Sequence, residues 1–191
     1  GRYEESLLDI DQSLILSPQY AWAHYCKGVF YLKQDEWENA LKALDQAIEY
    51  APDFCSALRE RGLLYFNMEQ FENAVKDFDA AIWHGGADGW VYAHKGIALI
   101  QLERKKEALK CLQKALRMGV SNSQVYAELG ALYLEDQKLK KAITSFNQAL
   151  RINPDNIEAL ANRGEAHRQS GNFEKALSDL TRAIELKPNA T

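Results

Sequence analysis

Residues 21–54 decide the fold of this chain, and they read AWAHYCKGVFYLKQDEWENALKALDQAIEYAPDF. The same pattern of small and bulky residues returns every 34 residues. A glycine marks the eighth position of every copy: Gly28, Gly62, Gly96, Gly130 and Gly164. Two alanines follow each glycine 12 and 19 residues later, as Ala40 and Ala47 do in the first copy. Self-similarity at a fixed period of this length predicts a solenoid, in which one structural unit stacks on copies of itself.

Within each copy, apolar residues recur at helical spacing. In residues 37–50, for example, Ala40, Leu44 and Ala47 form a stripe along one face of a helix. The recurring small residues let two helices approach closely, and a larger side chain there would overpack the contact at a cost of ~1–3 kcal/mol. Prolines end helices, and three copies close with one: Pro52, Pro154 and Pro188. Each copy is therefore expected to contain two helices joined by a short turn.

This pattern resembles the tetratricopeptide repeat (TPR), a helix–turn–helix unit of the same length. The copies would be 21–54, 55–88, 89–122, 123–156 and 157–190, preceded by a partial repeat in residues 1–20. The resemblance implies an all-α fold, a right-handed α-solenoid superhelix of antiparallel helix pairs. We expect residues 1–191 to form a single TPR solenoid. We also expect these residues to be part of a longer protein, because no polar capping helix follows the last copy.

Two copies lack the closing proline and carry glycine instead. The second ends in the segment 84–89, His-Gly-Gly-Ala-Asp-Gly, and the third in the segment 118–122, Met-Gly-Val-Ser-Asn. Glycine at the end of a helix favours a left-handed C-cap. Asp88 and Asn122 are suited to cap the helices that follow. The period is preserved, so both departures predict altered turns within an unbroken series of helix pairs.

The composition limits the classes of partner. The net charge of −4 confers no general affinity for nucleic acid, and we expect no nucleic-acid partner. Residues 1–88 carry a net charge of −9 and residues 89–191 a net charge of +5. This asymmetry could steer a charged partner or could reflect nothing more than an uneven solvated surface.

Cysteine usage and hydropathy indicate the compartment. Cys26, Cys55 and Cys111 are widely spaced and form no CxxC pair, which is typical of reduced thiols in an intracellular protein. No apolar run approaches the ~18 residues that a membrane span requires. We therefore expect a cytoplasmic protein without a membrane partner, although a fragment would lack the true N-terminus and any signal it carries.

In the TPR family, the first helix of each pair lines a concave groove that holds a peptide or a partner helix. The resemblance places eight candidate partner-binding residues in that groove: Trp22, Tyr25, Val29, Arg59, Leu63, Trp90, His94 and Ile97. Trp22 and Trp90 occupy the same position two copies apart, and exposed aromatic side chains often anchor interfaces. Both could instead pack between neighbouring repeats. Val29, Leu63 and Ile97 are suited to packing at least as well as to binding.

Two further tryptophans stand out by position. Trp83 falls where the other copies carry Glu or Arg, so Trp83 and His84 form a secondary candidate patch. Trp37 stands where two other copies have Phe71 and Phe173, and we expect it in the core.

The family's known groove chemistries do not transfer to this chain. The carboxylate clamp for acidic chaperone tails needs Lys, Asn, Asn, Lys and Arg at five groove positions. Sets that start at the first, second and third copies all fail to match: the second, for example, reads Arg59, Leu63, His94, Gln124, Glu128, and its glutamate would repel a carboxylate. We therefore expect a different ligand.

Nothing in the sequence predicts catalysis, a metal site or a cofactor. Cys26, Glu60 and His94 occupy equivalent positions in successive copies, but neighbouring packed helices lie ~8–10 Å apart. That spacing is far beyond the ~3 Å that proton transfer needs. His24 and His167 fall at positions expected to be packed, and no phosphate-binding loop or zinc motif is present. We expect no enzymatic activity.

The leading interpretation is a protein–protein interaction scaffold or adaptor that binds a peptide or helix in its groove. The first alternative is a structural element that self-assembles into homo-oligomers through its end faces, around residues 7–16 and 173–187. The second is a regulatory arm for an enzyme elsewhere in the parent chain.

Overall fold

A computed structural model describes the backbone of residues 2–187 and the side chains of residues 7–187. Within that range the chain is helical and contains no strand. The helices are α1 (Arg2–Leu16), α2 (Ala21–Leu32), α3 (Trp37–Tyr50), α4 (Cys55–Asn67), α5 (Phe71–Trp83), α6 (Gly89–Gln101), α7 (Lys105–Arg117), α8 (Ser123–Glu135), α9 (Leu139–Ile152), α10 (Ile157–Gln169) and α11 (Phe173–Leu186). The predicted all-α fold with two helices in each copy is confirmed. Pro188, which was expected to close the last copy, lies outside the described residues.

The helices fall into two compact units, divided between Glu103 and Arg104. The first unit contains α1–α6 and the second contains α7–α11. In each unit, helices joined by a short turn pack as antiparallel pairs, among them α2 with α3, α4 with α5, α8 with α9 and α10 with α11. None of the helices in residues 2–187 combines the length and the apolar content that a bilayer crossing requires.

The repeated glycines lie where two helices of a pair touch. A Cβ atom on Gly62 would lie 2.8 Å from Cε1 of Phe78, and one on Gly130 would lie 2.5 Å from Cε1 of Phe146. Both phenylalanines are fully buried. The close approach predicted from the 34-residue period is therefore confirmed at these pairs.

Each pair turns through one residue with a left-handed backbone. These residues occupy the same position in every copy and have φ between 56° and 79°: Asp35, Glu69, Glu103, Gln137 and Gly171. The left-handed region costs residues with a Cβ roughly 1–2 kcal/mol. Four of the five copies thus hold a strained turn.

The two altered copy ends behave as predicted. Gly85 and Gly119 both adopt φ of 89° after α5 and α7. The Asp88 carboxylate then accepts a hydrogen bond from the Val91 N–H, and the Asn122 side chain accepts from the N–H groups of Gln124 and Val125. These caps satisfy amide groups at the starts of α6 and α8 that have no partner within the helix.

Polar pairs join four of the five first helices to the helix that ends the preceding copy. A base at the seventh position of a copy contacts an acid 16 residues earlier: Lys27 with Asp11, Arg61 with Asp45, and Lys95 with Asp79. Arg163 contacts Asn147 in the same relation at 2.7 Å. We call this series the inter-repeat ladder. The fourth copy interrupts it, because Leu129 occupies the seventh position there and is buried.

The expectation that Trp37 is a core residue was wrong. Trp37 is exposed at the start of α3, and Phe173 is exposed at the equivalent start of α11. This position directly follows the turn, at the rim of the helix pair, so its large side chain is covered only in part. By contrast, His24 and His167 are buried as expected.

Candidate functional site

A pocket of about 290 Å³ opens in the first unit between α4 and α6. Both are first helices of their copies, and they lie side by side because α5 packs against both of them. Three apolar side chains line part of the pocket: Leu63, Phe78 and Val91. The remaining lining residues are polar or aromatic: Arg59, Glu60, Asp88, Trp90 and His94. We call this feature the α4/α6 pocket.

Trp90 and His94 lie together on one wall of the α4/α6 pocket. Trp90 is 51% exposed, which leaves much of its indole ring available for contact. His94 Nδ1 lies 2.9 Å from the Trp90 carbonyl oxygen. A carbonyl can only accept, so Nδ1 is the donor in this contact. The ring also makes an edge contact with Phe66, with centroids 5.7 Å apart. These contacts hold the imidazole in a defined orientation.

Charges of both signs border the same pocket. An Arg59 Nη1 atom lies 3.3 Å from an Asp88 carboxylate oxygen, and its Nη2 lies 3.6 Å from Glu60. All three side chains remain partly exposed, so their mutual attraction is modest and they can exchange partners with a ligand. The pocket therefore combines an apolar lining with a polar border.

A second surface lies nearby in the first unit, where α2 meets the start of α4. Trp22 stacks on Phe54 with ring centroids 5.8 Å apart, and Tyr25 lies 5.0 Å from Phe54. We call these three residues the Trp22 cluster. Burial raises the pKa of Tyr25, and the Glu60 carboxylate raises that pKa further, so the phenol remains a hydrogen-bond donor at neutral pH. Trp22 itself is 51% exposed.

The eight residues suggested by the TPR resemblance are placed in three settings. Arg59, Leu63, Trp90 and His94 line the α4/α6 pocket, and Trp22 and Tyr25 belong to the Trp22 cluster. Val29 is half-buried in α2. Ile97 is 9% exposed and so offers little surface to a ligand.

Sequence reasoning missed Phe54 as a contact residue and gave Asp88 only a capping role, although both occupy the last position of their copies. A signal was present, because Asp88, Asn122 and Asn156 all cap helices from that position whereas Phe54 does not. An aromatic residue at a capping position indicates that its side chain serves packing or contact instead. Phe78 was also missed as a pocket residue, because its position was assigned to the core alone.

The secondary patch lies apart from the pocket lining. Trp83 is highly exposed at the end of α5, and His84 forms the C-cap of that helix. The His84 carbonyl lies 3.2 Å from the Cys55 sulfur, which donates to it weakly. Neither Trp83 nor His84 lines the α4/α6 pocket.

The first helices of the second unit present a polar surface. Glu128 of α8 and Glu158 of α10 lie close enough to interact. Burial raises the pKa of Glu128, the Glu158 charge raises it further, and a hydrogen bond from Gln124 opposes both effects. This surface offers carboxylates where the first unit offers aromatic rings.

The structure does not assemble the Cys26, Glu60 and His94 positions into a reactive group. Within residues 7–187 no hydrogen bond joins any two of them. Burial raises the pKa of the Cys26 thiol, which keeps the sulfur protonated and weakly nucleophilic. The described part of the chain also holds no group of three or more His, Cys, Asp or Glu side chains arranged for a metal ion.

Comparisons with known proteins agree with the repeat pattern. A family model described as tetratricopeptide repeat matches residues 28–93 and 129–191, and a second with the same description matches residues 95–157. No curated protein sequence matches the chain.

Similar solved structures include a TPR protein. YrrB, described as a TPR protein with an unusual peptide-binding site, aligns with a TM-score of 0.84 and 24% identity over 95% of this chain and 93% of that chain. MamA from Desulfovibrio magneticus RS-1 aligns with a TM-score of 0.77 and 21% identity over 89% and 96%. The APC/C hetero-tetramer Cut9–Hcn1 aligns with a TM-score of 0.69 and 19% identity over 98% and 37%. At these identities the similarity shows the fold.

Proposed function

Because this chain belongs to the tetratricopeptide repeat family, we propose that it is a protein-interaction scaffold whose α4/α6 pocket binds a segment of a partner protein. One observation carries the proposal: an open pocket with an apolar lining next to the half-exposed Trp90. Binding sites are typically concave and largely apolar, with a few polar groups that fix the ligand's orientation. The TPR protein YrrB is itself described as having a peptide-binding site.

The pocket favours a ligand that inserts one apolar side chain. That side chain would contact Leu63 and stack against Trp90, while the buried side chains of Phe78 and Val91 lie beneath them. The ligand backbone or a polar neighbour would then meet Arg59 or Asp88 at the border. The Trp22 cluster supplies a second aromatic contact in the same unit. Desolvated aromatic anchors of this kind supply much of the energy at protein interfaces.

A peptide selection tests the proposal directly. Peptides from a random display library would be selected on the wild-type protein, and their affinities measured for Trp90→Ala and Trp22→Ala. We expect Trp90→Ala to weaken binding by about 30-fold, the effect of losing an anchor worth about 2 kcal/mol. Trp83→Ala is the matched control, since Trp83 is exposed but lies outside the pocket lining.

Two outcomes would overturn this assignment. One is unchanged peptide affinity in Trp90→Ala with unchanged circular dichroism. The other is loss of binding in Trp83→Ala alone, which would move the site to the secondary patch of Trp83 and His84.

A second function, self-assembly into homo-oligomers, is supported by one face of α11. Leu177 is 69% exposed, whereas Val75, at the same position of the second copy, is 4% exposed. Phe173 and Ile184 are exposed beside it at helical spacing. In the second copy a following first helix covers this face, since α5 packs on α6. A second copy of the chain could cover the α11 face in the same way.

Sedimentation velocity over a range of protein concentrations tests self-assembly. We expect association that Leu177→Lys abolishes and that Thr181→Lys, an exposed control on the same helix, leaves intact. A wild-type protein that stays monomeric at all concentrations would refute this second function without touching the first.

An intracellular location belongs to the same proposal. The three cysteines are free thiols, two half-buried and one buried. Free thiols persist in a reducing compartment.

A further inference from the structure

A second cavity, of about 360 Å³, lies in the second unit among α9, α10 and α11. Its lining is mainly polar: Asn147 from α9, Arg163 and His167 from α10, and Lys175, Ser178 and Asp179 from α11, with Ile143 as its apolar member. No residue of this cavity belongs to the candidate partner-binding surface of the first unit.

Small side chains explain why the cavity exists in the last copy. His167 stands where three other copies carry Tyr31, Tyr65 and Tyr133. In the second copy the Tyr65 ring lies under the Arg61 guanidinium, 5.8 Å from it. In the fourth copy Lys141 lies 5.6 Å from the Tyr133 ring centre. Ser178 likewise replaces a lysine that the first three copies share. An imidazole and a hydroxymethyl group fill less space than a phenol and a lysine chain.

His167 is buried without protein partners. The residue is 8% exposed, and its Nδ1 atom is buried with no hydrogen bond. Its Nε2 atom also has no hydrogen-bond partner among residues 7–187, and unlike Nδ1 it is not a buried atom. His24, the other buried histidine, differs because its Nε2 donates to the Pro18 carbonyl at 2.8 Å. A buried polar ring without partners is unfavourable, and such a group calls for an explanation.

The charges around the cavity are unequal. Arg163 donates through Nε and Nη2 to the Asp179 carboxylate at 2.7 and 2.6 Å, which neutralises that acid. Its Nη1 donates to Asn147. Lys175 has no ion-pair or hydrogen-bond partner among residues 7–187. One unpaired positive charge therefore faces the cavity together with an unpartnered imidazole and a hydroxyl group.

We propose that this cavity binds a phosphate group, held by the Lys175 ammonium, an N–H of the His167 ring and the Ser178 hydroxyl. A phosphate oxygen accepts charge-assisted hydrogen bonds from each of these donors. The phosphate also supplies the missing partner of His167. The Arg163–Asp179 pair forms a fixed wall, so the bound anion meets no unpaired carboxylate.

The charge state of His167 provides a specific readout. Burial lowers its pKa, Asp179 opposes that effect, and Arg163 and Lys175 lower the pKa further. The groups that face His167 from the packed elements are Lys175 and Asp179 on α11, while Ile143 and Asn147 on α9 carry no charge. A bound phosphate favours the imidazolium form, so phosphate must raise the pKa of His167.

The experiment is a titration of the wild-type chain with inorganic phosphate, followed by the ¹⁵N and ¹H resonances of the His167 ring. Sodium chloride at matched ionic strength is the reference. We expect saturable shifts of the His167 resonances, and an affinity that Lys175→Gln lowers by about tenfold, the loss of one charge-assisted hydrogen bond. Lys141→Gln, the same substitution one copy earlier, must leave the affinity unchanged. A second titration uses a capped phosphoserine peptide. If the natural ligand is a phosphorylated side chain, the peptide should bind more tightly than inorganic phosphate. If the natural ligand is free phosphate, the two affinities should be equal.

His167→Tyr provides an independent test, because it restores the tyrosine that other copies carry and fills the cavity. Its thermal stability must no longer respond to phosphate. Lys175 is exposed, so Lys175→Gln reports on binding even where His167→Tyr perturbs the fold. Absence of a phosphate effect on His167 in the wild type, or equal affinities for Lys175→Gln and Lys141→Gln, would overturn the proposal.

Discussion

Arg61 holds the buried carboxylate of Asp77 through two hydrogen bonds, from Nε to Oδ2 and from Nη2 to Oδ1, each 2.7 Å long. The third donor of the guanidinium reaches Asp45 of the preceding copy at 2.8 Å. One side chain thus ties three helices together, α3, α4 and α5. Arg163 repeats the arrangement in the second unit with Asp179 and Asn147.

Arg61→Ala is expected to destabilise the first unit by about 3–5 kcal/mol, because it leaves the Asp77 carboxylate buried without a counter-ion. Urea unfolding followed by circular dichroism measures the change. The double variant Arg61→Met/Asp77→Leu, which removes both charges, should recover most of the loss. Arg168→Ala is the control, since Arg168 pairs with Glu165 on the surface and its removal should change stability little. Equal effects of Arg61→Ala and Arg168→Ala would contradict this account.

Gly130→Ala should lower the stability of the second unit by about 1–3 kcal/mol through overpacking. The added Cβ would lie 2.5 Å from the Phe146 ring, which is fully buried and has no room to withdraw. Thermal unfolding of the variant beside the wild type measures the loss. A neutral result would mean that α8 and α9 separate easily, against the close contact seen here.

Gln137→Gly should stabilise the chain by about 0.5–1 kcal/mol. The substitution removes roughly 1–2 kcal/mol of left-handed strain at φ 57°, and it adds a smaller entropy cost in the unfolded chain. Asp136→Gly, one residue earlier at φ −73°, is the matched control and should destabilise. The same sign of change in both variants, measured by urea unfolding, would show that the turn is not strained.

Glu128→Gln should stabilise the protein at neutral pH and weaken its response to acid. The pKa of Glu128 is raised in the folded state, mainly by burial. The native state therefore binds this proton more tightly than the unfolded state does. The resulting contribution to folding stability is fully present below the ordinary glutamate pKa and is lost as the pH rises through the raised pKa of the folded state. Melting temperatures of wild type and variant between pH 4 and 7 check the sign.

Glu165→Gln is the opposite-sign control for that experiment. Hydrogen bonds from Arg168 and Gln169 lower the pKa of Glu165 to about 2, so its contribution is present at neutral pH and is lost on strong acidification. Its removal should leave the response between pH 6 and 7 unchanged, and should reduce the loss of stability that begins as the pH falls through the ordinary glutamate pKa of about 4.3. If the Glu128→Gln variant keeps the pH dependence of the wild-type melting temperature, that dependence belongs to another group.

The fold could be predicted from the sequence because the same pattern of small and bulky residues recurs in every copy. The spacing of Gly62 and Phe78, seen again in Gly130 and Phe146, specifies one helix–helix contact several times over. Four of the residues chosen by their positions in the copy, Arg59, Leu63, Trp90 and His94, line one pocket, and their role in partner binding stays a prediction.

What the sequence analysis missed depends on contacts between residues that lie far apart in the chain. Phe54 was missed because it ends the same copy that has Trp22 near its start, and the spacing within one helix does not show that the two rings pack together. The inter-repeat ladder was missed because its members, 16 residues apart, look like separate surface charges. The exposure of Trp37 was missed because an aromatic residue at a shared position was taken as buried.

Because the inter-repeat ladder has a gap at the fourth copy, the copies are not equivalent when one of them is deleted or duplicated. Removing residues 55–88 would bring Lys95 to the place of Arg61, opposite Asp45, and the junction would close with a base and an acid. Duplicating residues 123–156 would instead set a second Leu129 opposite Asn147, an amide that now bonds Arg163. Loss of the second copy should therefore be tolerated more readily than duplication of the fourth copy. The polar pairs between neighbouring helices therefore favour one order of the copies as well as their number.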